Sequence, residues 1–357
     1  MTKETPDFPA MQGPVCPMPL PHDKTIVLGH GSGGKMTLDL ISRYFYPTFE
    51  NQVLLRGDDA AVLDLGENGR LAFSTDSHIV SPLFFPGGDI GRLAVAGTVN
   101  DLAMVGAKPG WLTAAFILEE GFDMHQLADV LTSMSQTAAE AGITIVAGDT
   151  KVAEKGKADG LFINTTGLGV VPAGREVSGA NAKPGDAVLV SGTIGDHGIA
   201  VLAARGSLAF EAEVVSDVAP VNGVVEALFD AGIEVHVLRD PTRGGVATTL
   251  NEIAKQSGIG IVLEEGAIPV RQSVEAACEM LGFDPLYVAN EGKLLAFVPE
   301  DQAEAALEAM KATRYGQNAV RIGLVEPEPE GRVLMKTAIG GTRMVDVLAG
   351  EILPRIC

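Results

Sequence analysis

Hydrophobic and polar positions follow two different periods along this chain, often in adjacent segments. Between Met124 and Ala141, the apolar residues Leu127, Val130, Leu131, Met134 and Ala138 recur at helical spacing. Asp123 stands where the helix N-cap belongs, and Gly142 where the helix should stop. The same spacing predicts a helix over 89–105, with Ile90, Leu93, Ala94 and Leu102 on its apolar side. Runs 70–75, 111–118, 143–147 and 161–171 read instead as strands. A loop rich in glycine, alanine and proline occupies 174–184. Beyond it, strands are expected at 187–191, 259–263 and 294–298, and helices at 221–231, 244–256, 273–281 and 301–313. No internal repeat or coiled coil is visible. The pattern predicts an α+β (α/β mixed) chain in four parts: an arm 1–24, a first domain 25–174, a second domain 175–340 and a tail 341–357.

Composition narrows the picture. A chain of 357 residues that is 46% hydrophobic can bury a large core, and its length suits two domains. The longest apolar stretch, 111–118, is too short to span a membrane. The arm is polar and proline-rich, which reads as extended chain and not as an export signal. Three isolated cysteines, Cys16, Cys278 and Cys357, imply neither a disulfide framework nor a zinc site, and a reducing cytoplasm fits them. With 46 acidic against 26 basic residues the net charge is −20, which argues against nucleic acid as a partner.

Part of that acidity has a pattern. Gly57-Asp58-Asp59-Ala60, Ser74-Thr75-Asp76-Ser77, Asn100-Asp101-Leu102 and Gly148-Asp149-Thr150 each place an aspartate where a strand end or turn is expected. Any one of them reads equally as a turn former. Four carboxylates converging on one sheet edge would repel one another unless cations lie between them, and an oxygen-only donor set selects Mg²⁺. Lys151 adds a cation beside the last of them, where a γ-phosphate needs one. Gly29-His30-Gly31-Ser32-Gly33-Gly34-Lys35 nearly fits a P-loop, but Met36 stands where Ser or Thr should hold the metal. It reads as a glycine loop, with Gly31, Gly33 and Gly34 able to fold backbone N–H groups over phosphates. In the second half, Asp240-Pro241-Thr242-Arg243-Gly244-Gly245 leads into a helix and could hold an anion. Asn290-Glu291-Gly292-Lys293 offers a functional carboxylate, while the lone His197 in Gly195-Asp196-His197-Gly198 has a structural role as its ordinary reading. The thiol of Cys357 has little packing role and a long reach, with Gly340 and Gly341 as an upstream hinge.

Taken in order with Pro354-Arg355-Ile356-Cys357, these segments resemble the hydrogenase maturation carbamoyl dehydratases, the HypE family, over about 26–357. The aspartate series alone indicates the wider aminoimidazole ribonucleotide synthetase-like superfamily. The resemblance implies a two-domain fold whose first domains pair in a dimer to form a shared β-barrel, with a second α/β domain packed against it. It implies ATP-dependent dehydration of a carbamoyl group on Cys357 to a thiocyanate. Asp58, Asp76, Asp101 and Asp149 would hold Mg²⁺, with Thr75 and Lys151 also at the nucleotide. Glu291 would serve as base, with Asp101 or His197 as rivals, and Arg355 would favour the thiolate or bind phosphate. The tail would swing between an outward position, meeting a HypF-like carbamoyltransferase and an iron-carrying HypC–HypD-like complex, and an inward one beside ATP. Alternatives are a small-molecule kinase or selenophosphate synthetase of the same superfamily, with Cys16 the cysteine the latter would need, or a passive thiol carrier.

Overall fold

The computed structural model describes residues 25–206, 214–348 and 356–357; the arm, Cys16 and Arg355 lie outside the described residues. A short helical stretch opens it, α1 (Lys35–Leu40) and α2 (Tyr46–Phe49), joined by a π turn. The first sheet is built from β1 (Ala61–Asp64) and β2 (Arg70–His78), followed by a small hairpin, β3 (Phe84–Phe85) with β4 (Gly88–Asp89). Helix α3 (Ile90–Met104) leads to β5 (Lys108–Glu119), and α4 (Met124–Ala141) to β6 (Thr144–Ala153) and β7 (Leu161–Val171). The five-stranded order is β1-β2-β7-β5-β6, antiparallel except for the β5–β6 pair.

Helix α4 follows its sequence closely. Asp123 accepts hydrogen bonds from the backbone N–H groups of His125 and Gln126, and Gly142 closes the helix at φ 73°. Helix α3 is capped in the same way by Asp89, but it departs from the one-sided pattern expected of it. Nearly every residue is buried, because the first sheet covers one side and the second half of the chain covers the other.

The second sheet has seven strands: β8 (Asp186–Val190), β9 (Val237–Arg239), β10 (Gly260–Glu264), β11 (Leu295–Pro299), β12 (Val320–Glu326), β13 (Arg332–Lys336) and β14 (Thr342–Val345). Their order is β14-β13-β10-β12-β8-β11-β9. Helices α5 (Asp196–Ala204), α6 (Asn222–Asp230), α7 (Gly245–Ser257), α8 (Gln272–Leu281) and α9 (Ala303–Lys311) complete it. β8 shows why its run is continuously apolar: Val188 and Val190 pack with α7, while Ala187 and Leu189 pack with α6 and α9. Strands β9 and β12–β14 and helix α5 were not expected from periodicity; β9 has only three residues, and α5 begins inside a Gly-Asp-His-Gly segment that resembles a turn.

The strand-end placement of the aspartates needs correction. Asp76 lies within β2, Asp101 within α3 and Asp149 in the middle of β6; only Asp58 and Asp59 precede a strand. Gly148 explains the misreading at β6, since a Cβ there would lie 2.5 Å from the carbonyl oxygen of Ala114 on the neighbouring strand. That glycine permits close strand approach and does not turn the chain. Among the described residues no helix is long and apolar enough to cross a membrane.

Candidate active site

Between the two sheets lies a cavity of about 210 Å³ to which both halves and the tail contribute. The first half supplies Asp59 from the turn before β1, Asp76 from β2 and Asp101 from α3. The second supplies Asp240 and Arg243 from the turn between β9 and α7, and Glu291 from the segment before β11. Cys357 completes the lining. The turn is built by two consecutive left-handed glycines, Gly244 at φ 77° and Gly245 at φ 60°; a Cβ on Gly245 would meet the Leu286 carbonyl oxygen at 2.5 Å. Asn100 fastens the halves together, donating from Nδ2 to the Ala219 carbonyl at 3.1 Å and accepting from the Val221 N–H at 2.8 Å.

The carboxylates are crowded and dry. Burial, followed by the charges of Asp76, Asp240 and Asp59, holds the Asp101 carboxyl well above the usual range, although Ser74 Oγ donates to it at 2.6 Å. Burial also raises Asp59 well above that range against the opposing pull of Arg239, whose Nε lies 3.1 Å from Asp59 Oδ1. Asp240 is raised by burial, against Arg239, to about 6. Glu291 is raised well above the ordinary range by burial and by Asp240, with Arg243 opposing. Asp59 Oδ2, Asp240 Oδ2 and Glu291 Oε1 are buried without a hydrogen-bond partner. Such oxygens suit a hard divalent cation. Among the described residues no group of three or more His, Cys, Asp or Glu side chains is arranged to hold a metal ion by itself. An ion held there would have to draw further oxygens from phosphate or water.

The last two residues, Ile356 and Cys357, are seated at this site. The Ile79 N–H donates to a terminal main-chain oxygen of Cys357 at 3.1 Å, and Arg243 Nη1 donates to Cys357 Sγ at 3.0 Å. Burial pushes the thiol up to about 11, with Arg243 opposing, so the seated sulfur is protonated at neutral pH. The cation on the sulfur is Arg243, which the sequence marked only as part of an anion-binding turn.

Other expected residues are placed differently. Asp58 turns aside, accepting from Ser178 Oγ at 2.9 Å and from the Gly179 N–H at 2.9 Å. Thr75 is exposed on β2 and bonded to Thr165 and Thr166 of β7. Asp149 and Lys151 pair at 2.8 Å on β6, at 62% and 70% side-chain exposure, outside the cavity. Gly31 ends a 3₁₀ turn and Gly34 precedes α1, while Gly33, at φ 78°, packs on Arg243 so closely that a Cβ would lie 2.8 Å from Arg243 Cβ. The glycine loop thus borders the cavity through Arg243. Lys35 fastens it to the root of the tail, its N–H donating to the Leu348 carbonyl at 3.1 Å. His78, which also lines the cavity, gave no sequence signal, and burial lowers its pKa.

Comparison with known proteins fits this geometry. The AIR synthase related protein N-terminal domain matches residues 57–171, and the corresponding C-terminal domain matches 183–336. The carbamoyl dehydratase HypE of Cupriavidus necator is 54% identical, over 93% of this chain and 95% of its own length. A crystal structure of a HypE–HypF complex superposes with a TM-score of 0.83 at 53% identity, covering 87% of this chain and 99% of that one. Another, of hydrogenase maturation protein HypE in complex with ATP, gives a TM-score of 0.78 at 52% identity over 93% of this chain and 100% of that one. With its two-domain architecture, its carboxylate cavity and this identity along almost the whole sequence, the chain belongs to the carbamoyl dehydratase HypE family of AIR synthase-related proteins.

Proposed function

We propose that this chain is an ATP-dependent carbamoyl dehydratase that converts a thiocarboxamide on Cys357 to a thiocyanate, for delivery as a cyanide ligand to the iron of a nickel–iron hydrogenase. The observation that carries this reading is the seating of a buried Cys357 in a cavity lined by carboxylates. At about 210 Å³ that cavity is below the usual 300–1,000 Å³ of small-molecule clefts, so it suits a phosphoryl group and a thiocarboxamide and not a whole nucleotide.

The chemistry needs a leaving group and a base. Oxide leaves poorly from S–C(=O)–NH₂. Transfer of the γ-phosphoryl of ATP to that oxygen lets it depart as phosphate while the two N–H protons are removed, leaving S–C≡N and ADP. Glu291, buried with a raised pKa and a free oxygen, is the base; Asp101 and His197 are each committed to a hydrogen bond elsewhere. Arg243 holds the sulfur in line. Mg²⁺ shared between phosphate oxygens and one or two of Asp59, Asp76, Asp101 and Asp240 would offset the charge of the phosphates.

Asp149 and Lys151 enter through a second copy. β6 is an edge strand exposed along nearly its whole length, with Val146 and Val152 at 55% and 68% exposure. Pairing of two first sheets there into a shared barrel would cover these residues and carry the Asp149–Lys151 pair toward the nucleotide. The thiol would be loaded elsewhere, because the seated Cys357 is buried and burial also disfavours its thiolate. A HypF-like carbamoyltransferase would therefore meet the tail outside the cavity, and an iron-carrying HypC–HypD-like complex would unload it there. A free reactive thiol of this kind belongs in a reducing cytoplasm.

The test is the intact mass of the full chain, first after carbamoyltransferase treatment with its donor and then after MgATP is added to the modified protein. A gain of one carbamoyl group on Cys357 followed by loss of one water is expected. A carbamoyl group that persists would leave a thiol carrier, and no gain at all would remove Cys357 from the reaction.

A further inference from the structure

His197 is wholly buried at the start of α5 and belongs to no part of the phosphate-handling site. Its Nε2 lies 2.6 Å from the Ile356 carbonyl oxygen, and its Nδ1 lies 2.8 Å from Ser216 Oγ. A carbonyl oxygen only accepts, so Nε2 carries the proton. Nδ1 must then accept from the Ser216 hydroxyl, whose oxygen in turn accepts from the Val218 N–H at 3.1 Å. The ring is pinned edge-on against Phe85, with centroids 5.4 Å apart. Burial lowers its pKa, which keeps it neutral and the tautomer fixed.

The same segment reaches the proposed base. Asp217, next to Ser216, accepts from the Glu291 N–H at 3.1 Å, and the Ala219 N–H donates to the Glu291 carbonyl at 3.4 Å. One run of hydrogen bonds, from residues 216–219, therefore holds both the imidazole under the tail and the backbone that carries Glu291. Ile356 itself is 6% exposed, packed in the core cluster that α3, α5 and α8 share.

We propose that His197 is a positioning residue for the tail: locked as the Nε2–H tautomer by Ser216, it holds the penultimate carbonyl and so sets the depth at which the sulfur of Cys357 meets Arg243 and Glu291. Together with the Ile79 N–H, it fixes the backbone on both sides of the Cys357 Cα, and Arg243 then meets the side chain. This rests on Cys357 being the substrate-bearing residue. It removes His197 from proton transfer and assigns it the register of the substrate.

The experiment uses the full chain with His197→Ala, His197→Gln and Ser216→Ala. Two rates are read: dehydration of the carbamoylated protein in one turnover with MgATP, and alkylation of the unmodified Cys357 by iodoacetamide, localised by peptide mass. Losing a buried hydrogen bond of this kind corresponds to about a tenfold effect or more. His197→Ala should slow dehydration and speed alkylation by that order. Glutamine, whose amide can donate to the same carbonyl, should recover part of both. Ser216→Ala keeps the ring but frees the tautomer, and should fall between wild type and His197→Ala. Wild-type values of both rates in Ser216→Ala and His197→Ala would overturn the proposal, as would a glutamine variant no better than alanine beside a wild-type Ser216→Ala. Should His197→Ala fail to fold, Ser216→Ala decides alone. If the wild-type chain takes up no carbamoyl group, the dehydratase reading fails, and alkylation still reports whether His197 holds the tail.

Discussion

Asp101 and Asp149 are the same side chain in opposite circumstances. Asp101 is enclosed between two sheets with three like charges acting on it, and its carboxyl is pushed far up. Asp149 stands in water on an edge strand, where the hydrogen bond from Lys151 draws its carboxyl down. The enclosed group is destabilised by its neighbours, whereas the edge pair is already satisfied by its own cation. Folding assembles the cavity at some cost in repulsion, which cations and phosphate would relieve.

That contrast can be tested in decreasing order of effect. Glu291→Gln should reduce single-turnover dehydration by about 10²–10⁴-fold, the usual contribution of a positioned base, while leaving carbamoyl uptake intact. Retention of the wild-type rate would show that the enclosed carboxylates do not include the base. Asp240→Asn should stabilise the protein in urea melts at pH 7 without Mg²⁺ or nucleotide, by about 1–3 kcal/mol. The sign follows from the raised carboxyl. The fold prefers its neutral form, so that contribution is complete below the ordinary aspartate range and is lost as pH rises through about 6. The advantage of asparagine should accordingly shrink between pH 7 and pH 5, and a gap that widened would contradict the assignment. Asp149→Asn is the control on the other side: no resolvable change is expected in the same melts, as for an ordinary surface position. A large loss would mean that the edge pair is structural and not a reserve for catalysis.

Much of the fold was legible because its signals are local. The cap of α4 by Asp123, its stop at Gly142 and the full span of β7 follow from residues a few positions apart. The site was legible as a set of segments but not residue by residue. Which of Asp58 and Asp59 faces the cavity depends on Ser178 and Gly179, which capture Asp58 from more than a hundred positions away. Asp101 was taken for a turn residue because a carboxylate near the end of an apolar helix looks out of place until the second half of the chain is seen to cover that face. His197 carried no periodic or spacing signal at all. Its partners, Ser216 and Ile356, converge on it only through the packing of α5 against the hairpin and the tail.

The tail seated beside Arg243 has a consequence for how such a protein would be counted in a cell. A sulfur joined to the site by its own chain has no Michaelis constant and no competitor in solution, since its local concentration is set by the tether. Each molecule can work once and must then be emptied before it works again. Output would follow the rate at which acceptors remove the product, and making more of this protein would store charged tails without quickening their delivery.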